Sequence, residues 1–114
     1  MSDCLFCRII AGEIPGDVVL RTDRSLAFRD VNPQASTHVL VVPLEHITNA
    51  ADLTAGHAEQ LSDLFLTANA VAEQEGIAKS GYRLVFNVGE DALNSVPHLH
   101  LHVIGGRKMG WPPG

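Results

Sequence analysis

In His98-Leu99-His100-Leu101-His102-Val103-Ile104, imidazoles and aliphatic side chains alternate without a break. Successive side chains of a β-strand point to opposite faces, so this alternation predicts three imidazoles on one face and Leu99, Leu101 and Val103 on the other. Neighbouring histidines would stand roughly 6.5–7 Å apart, two steps of about 3.3 Å each. Near neutral pH an imidazole can attack, donate or accept a proton, or bind a metal, and the contact made by its second nitrogen decides among these. A row of three can line a site for an anionic group, and it can also hold zinc. An ordinary solvated strand face would draw on Lys, Glu, Thr and Ser rather than repeat histidine three times.

His38, His46 and His57 bring the histidines to six in 114 residues. Cys4-Leu5-Phe6-Cys7 adds two sulfurs that one helical turn would place on the same side, at a spacing suited either to a metal or to a redox disulfide, and the preceding strand and βαβ context of the redox motif are missing here.

These groups need elements to position them. Cys4 to Ala11 reads as a short helix, with Ser2 or Asp3 as N-cap, Gly12 at its C-terminal end and Pro15 beyond. Asp17 to Arg21 and Leu26 to Asp30 read as strands joined by a polar hairpin turn. Thr37 to Pro43 is rich in β-branched residues and stops at a proline, which predicts a third, central strand. From Thr54 to Glu75, apolar residues recur every three or four positions and Gly76 follows, which predicts one long helix with His57 on its solvated side. Tyr82 to Val88 and His98 to Ile104 complete the strands. The expected architecture is one α+β domain over residues 1–114, an antiparallel sheet of about five strands with one long and one short helix.

Composition narrows the function classes. Hydrophobic residues make up 46% and charged residues 18%, enough apolar surface for a core without a partner domain. Eight Lys and Arg against thirteen Asp and Glu give a net charge of −5, which opposes binding to a nucleic-acid backbone. No apolar run approaches the roughly 20 residues of a membrane span. The first residues lack a basic, apolar secretory leader, so a cytoplasmic protein without disulfides is expected.

The pattern His-apolar-His-apolar-His and two further apolar residues resembles the signature of the histidine triad superfamily. The tail Gly105-Gly106-Arg107, Met109 and Trp111-Pro112-Pro113-Gly114 resembles its nucleotide-binding branch. The likeness runs along nearly the whole chain, through Leu5-Phe6, Ile9-Ile10, Glu13-Ile14-Pro15, Leu26-Ala27-Phe28-Arg29-Asp30, Pro33-Gln34, Thr37-His38, Val41-Val42-Pro43, Asn87 and Ser95-Val96.

That resemblance implies a small α+β homodimer that hydrolyses phosphoramidates of purine nucleoside monophosphates. It implies His100 as the nucleophile that carries the nucleotide, His102 as a donor to the phosphate oxygens, Ser95, Asn87 and Asn94 beside the phosphate and leaving group, and His38 as an orienting partner. Asp30 would take the two ribose hydroxyls, and Phe6, Phe28 and Val31 would form the base slot. Arg29, Asn94 and Pro97 stand where the family often has His, Gln, and Gln or Tyr. Zinc-bearing members pair their cysteines with two histidines, here His46 and His98, so Cys4, Cys7, His46 and His98 would hold a structural zinc. Two other readings of the same residues are a nucleotide-binding adaptor and a hydrolase of short dinucleoside polyphosphates.

Overall fold

The computed structural model describes residues 3–114. Five strands, β1 (Val18–Arg21), β2 (Ser25–Arg29), β3 (Thr37–Pro43), β4 (Tyr82–Val85) and β5 (Leu101–Gly105), form one antiparallel sheet in the order β1-β2-β3-β5-β4. The antiparallel α+β architecture expected from the hydrophobic pattern is the one found. Every residue of β3 is buried, as suits the strand at the centre of the sheet.

Alternation along the strands divides the interior into two cores. Val39 and Val41 of β3, Ala27 of β2, and Leu101 and Val103 of β5 pack with Leu64, Ala68, Val71 and Ala72 of the long helix α2 (Ala58–Gln74). Leu40 and Val42 of β3 and Leu26 and Phe28 of β2 point the other way. There they meet Phe6 of the short helix α1 (Leu5–Ile10). His102 is paired with Leu40 across the β3–β5 ladder, so it shares the α1 face.

Four details differ from expectation. The N-cap of α1 is Cys4, whose Sγ accepts from the Cys7 N–H at 3.4 Å, and not Asp3; Ser2 lies outside the described residues. A sulfur in this role already belongs to the helix turn that carries its partner Cys7. The paired part of β5 begins only at Leu101, because Pro43 has no N–H to offer opposite Leu99, whose own N–H turns to the Ile47 carbonyl at 2.6 Å. β4 also stops three residues early, at Val85; in its register Asn87 and Val88 would face His100 and Leu99, which lie outside β5. His57 does not lie on α2. It sits in a separate 3-10 turn (Ala55–His57) and closes a capping box, its Nδ1 accepting from the Thr54 N–H at 3.0 Å. Among the described residues no helix is long and apolar enough to cross a membrane.

The end of β2 is tied to α2 by Arg29, whose guanidinium donates to both carboxylate oxygens of Glu75 at 2.5 and 2.9 Å. That pairing, above all other effects, holds the Glu75 carboxyl below the ordinary carboxylate range. A depressed carboxyl pKa stabilises the fold above the unfolded value, and the contribution disappears as pH falls through the folded value. Glu75→Gln is expected to cost about 1 kcal/mol at pH 7, near the low end for a charged hydrogen bond because Arg29 is 39% exposed. Urea midpoints of the two proteins should converge as the pH is lowered into the acid range, and a gap independent of pH would refute the account.

Candidate active site

His100 lies just before β5, where its ring Nδ1 stands 2.7 Å from the carbonyl oxygen of His98. A carbonyl only accepts, so Nδ1 carries the proton and the lone pair is left on Nε2. The ring packs edge-on to Phe6 at 5.1 Å and lies 5.0 Å from the ring of His102. Sequence alternation and one backbone contact thus fix which nitrogen of His100 can attack an electrophile.

A second chain of contacts fixes His102. The backbone N–H of Gln34 donates to Nδ1 of His38 at 3.0 Å, so a neutral His38 has its hydrogen on Nε2. That nitrogen is 2.9 Å from Nδ1 of His102 and 3.4 Å from Oδ2 of Asp30. His102 Nδ1 is therefore an acceptor, and its proton sits on Nε2, 3.5 Å from Asn87 Nδ2; both of these groups donate, so this tautomer requires the Asn87 carboxamide to turn its oxygen toward the ring. Both rings are neutral near pH 7. Burial lowers the pKa of His38, and burial, with the neighbouring His100 and His38, pushes that of His102 down to about 4 against the opposing pull of Asp30. The result is a free lone pair on His100 beside an N–H donor on His102.

These two histidines stand at one end of a cavity of about 720 Å³, within the usual size of a ligand pocket. Phe6 and Phe28, whose rings meet edge-on at 5.4 Å, line it with Asp30, Val31 and Ser95. Val31 is on the rim and fully exposed. The in-register row of His102, Leu40, Phe28 and Val18 crosses from β5 to β1, three strand spacings or about 14 Å. Asp30 keeps acceptor capacity, since among the described residues it takes the Asn32 N–H at 2.9 Å and the His38 contact.

Three of the expected residues stand apart from the cavity wall. His38 and Asn87 reach the site through His102, and the Oδ1 of Asn94 is buried without a hydrogen-bond partner among the described residues. Leu5, Ile9 and Val96 line the slot as well. The i, i+4 spacing of Leu5 and Ile9 on α1 could have identified both. Arg29 and Asp17 also border the cavity, but the Arg29 guanidinium is held by Glu75 and, at 3.5 Å, by Asp17.

Next to the cavity, four potential ligands converge. His98 is completely buried, with Nε2 3.0 Å from the Pro43 carbonyl. That contact takes the Nε2 proton and frees the Nδ1 lone pair, which stands 3.3 Å from Cys4 Sγ, 3.4 Å from Cys7 Sγ and 3.1 Å from His46 Nδ1. A tetrahedral zinc with bonds of about 2.0 Å to nitrogen and 2.3 Å to sulfur needs edges of roughly 3.3 to 3.8 Å, so the donor set fits. Asp30, His38 and His102 are as close together, yet the bond from Gln34 places a proton at the centre of that group where a metal would need a lone pair. The tautomers mark the first cluster for a metal and the second for a proton.

The pattern of the HIT domain matches residues 11–109. A 14 kDa zinc-binding protein of Zea mays is 46% identical, covering 99% of this chain and 89% of its own length. The purine nucleoside phosphoramidase of Escherichia coli K12 is 43% identical over 96% of this chain and 92% of its own. Among solved structures, a HIT family hydrolase from Legionella pneumophila superposes with a TM-score of 0.96 at 47% identity, covering 98% of this chain and all of its own. With the triad, the sheet and these relatives in agreement, the chain belongs to the HIT domain family, the histidine triad superfamily.

Proposed function

We propose that the protein hydrolyses phosphoramidates of purine nucleoside 5′-monophosphates through a nucleotide held covalently on His100. The observation that carries this reading is the His100–His98 contact, which leaves the Nε2 lone pair on a ring lining the cavity. The E. coli relative named for this activity supports the substrate class.

In the first step Nε2 attacks the α-phosphorus, a nitrogen–phosphorus bond forms, and the bond to the leaving amine breaks as that nitrogen takes a proton from solvent. His102 donates its Nε2–H to the phosphoryl oxygens as their charge grows, and Ser95 at the cavity wall offers a hydroxyl to the same group. Water then attacks phosphorus, and the electron pair returns to Nε2 with release of the monophosphate. Splitting the displacement gives each step a competent nucleophile or leaving group. Across the 14 Å row, the ribose falls at Asp30 and the base between Phe6, Phe28 and the α1 face.

Cys4, Cys7, His46 and His98 hold zinc in this reading; four protein ligands close the coordination sphere, so the ion ties α1 to the sheet and activates no water. The protein pairs with a second copy. Supporting that are the outer edge of β4, which ends the sheet, and the exposed Leu66, Val88, Leu93 and Trp111. Sedimentation should give a dimer at micromolar concentration, and a monomer there would refute the pairing.

Incubation with adenosine 5′-phosphoramidate should release AMP, and rapid quenching in alkaline denaturant should trap one adenylyl group that maps to His100. Intact protein that releases no AMP sinks the reading. Asp30→Ala should weaken AMP by roughly 10- to 100-fold, the worth of hydrogen bonds to a charged group, and erase the preference for AMP over dAMP in calorimetry. A preference that survives the substitution would place the ribose elsewhere.

A further inference from the structure

We propose that Cys4 and Cys7 are a redox modification site, and that closing them into a disulfide withdraws His100 from its working position. The inference rests on the zinc and His100 readings above and adds to them a control that acts through α1 and His98.

Three observations lead there. The sulfurs are accessible: Cys4, Cys7 and His46 line a cleft of about 560 Å³ that is separate from the nucleotide cavity but shares Leu5, Ser95 and Val96 with it. The sulfurs are also close, in one helical turn, with both Sγ atoms on the same His98 nitrogen at 3.3 and 3.4 Å. Finally, His98 is joined to the site by its backbone, since its carbonyl holds the Nδ1–H of His100 at 2.7 Å. Phe6, between the two cysteines, packs edge-on to His98 at 5.9 Å, to His100 at 5.1 Å and to Phe28 at 5.4 Å.

The chemistry balances with a peroxide as oxidant. Two thiolates and one hydrogen peroxide, with two protons, give one disulfide and two waters. Bonding of the sulfurs at about 2.05 Å removes them as thiolate ligands, and a metal held by four groups keeps only two. The buried Nδ1 of His98 then loses its partners, a cost that favours movement of the His98 segment. Its carbonyl moves with it, and so does the first turn of α1, which carries the Phe6 wall of the slot.

The test uses zinc-loaded protein and one equivalent of hydrogen peroxide. Mass spectrometry should find the loss of two hydrogens between Cys4 and Cys7, a chromogenic chelator should find one zinc released per chain, and AMP release should fall at least tenfold. The hydrogen-bonded Nδ1–H of His100 should leave its downfield position in the proton spectrum. Dithiothreitol with Zn²⁺ should restore all four. Cys7→His keeps four ligands but cannot form the disulfide, so it should hold its own zinc, resonance and turnover through the treatment. Disulfide formation that leaves the His100 resonance in place overturns the proposal, as does oxidation that stops at other residues. If the reduced zinc protein releases no AMP at all, the phosphoramidase reading fails, while the resonance and zinc release still decide the switch.

Discussion

His100→Ala is expected to reduce AMP release from adenosine 5′-phosphoramidate by at least about 10⁴-fold, the scale on which removing a nucleophile acts elsewhere. AMP affinity should stay within a few-fold of the parent. The asymmetry comes from the geometry. His100 adds one wall to a cavity whose apolar faces come from Phe6, Phe28 and Leu5, and whose ribose acceptor is Asp30, so its loss removes chemistry and little binding surface. His102 cannot take over the attack. Its Nδ1 lone pair is turned to His38, 2.9 Å away, and its Nε2 bears the proton. Single-turnover mass spectrometry is the decisive measurement, because the variant should bind substrate and give no adduct. An adduct on His102 in the variant would show that the tautomers are reversed, and a variant keeping more than a few per cent of parent turnover would remove His100 from the mechanism. His38→Asn should act more mildly, since it alters the donor on His102 but leaves the His100 lone pair in place.

Much of this arrangement is visible in the sequence because side-chain direction follows period. The alternation from His98 to Ile104 assigns Leu99, Leu101 and Val103 to the α2 core even where the ladder stops short at Leu101. The Cys-x-x-Cys turn likewise announces a pair of sulfurs, and the resemblance to zinc-bearing triad proteins adds His46 and His98 to it. Backbone partners are what remain hidden. Nothing in residue types or spacing reveals that the Gln34 N–H sets the tautomer of His38, or that the His98 carbonyl sets that of His100, since any residue could offer those atoms. His57 misleads for a related reason: its periodicity fits a helix face, but its ring competes better for the Thr54 N–H at the helix start. Arg29 stands where the family often has His, and the sequence does not reveal that its guanidinium, at the border of the cavity, is paired with the distant Glu75.

Chelation of the metal is expected to release α1 while the sheet and α2 stay folded. A six-residue helix is far too short to persist alone in water, so α1 depends on what anchors it. Its anchors are Phe6, Ile9 and Ile10 at the smaller core and, with zinc bound as proposed, the two cysteines. The larger core, from Ala27 through Leu64 and Val71 to Val103, contains no α1 residue and should survive. Structural zinc sites contribute apparent free energies on the order of 10 kcal/mol when folding depends on them entirely. Zinc held as proposed by Cys4, Cys7, His46 and His98 would secure one element, and a loss of about 2–3 kcal/mol would lower Tm by roughly 10–20 °C in a domain of this size. Hydrogen exchange separates the two cores. In chelated protein the amides from Arg8 to Ala11 should exchange at nearly unprotected rates, those of β3 and β5 should remain the slowest, and AMP affinity should drop because Leu5, Phe6 and Ile9 leave the slot. Simultaneous loss of protection in β3 and α1 would mean that the two cores melt as one and that the metal supports the whole sheet. Unchanged protection in α1 would instead show that its apolar contacts through Phe6, Ile9 and Ile10 are sufficient to hold the helix.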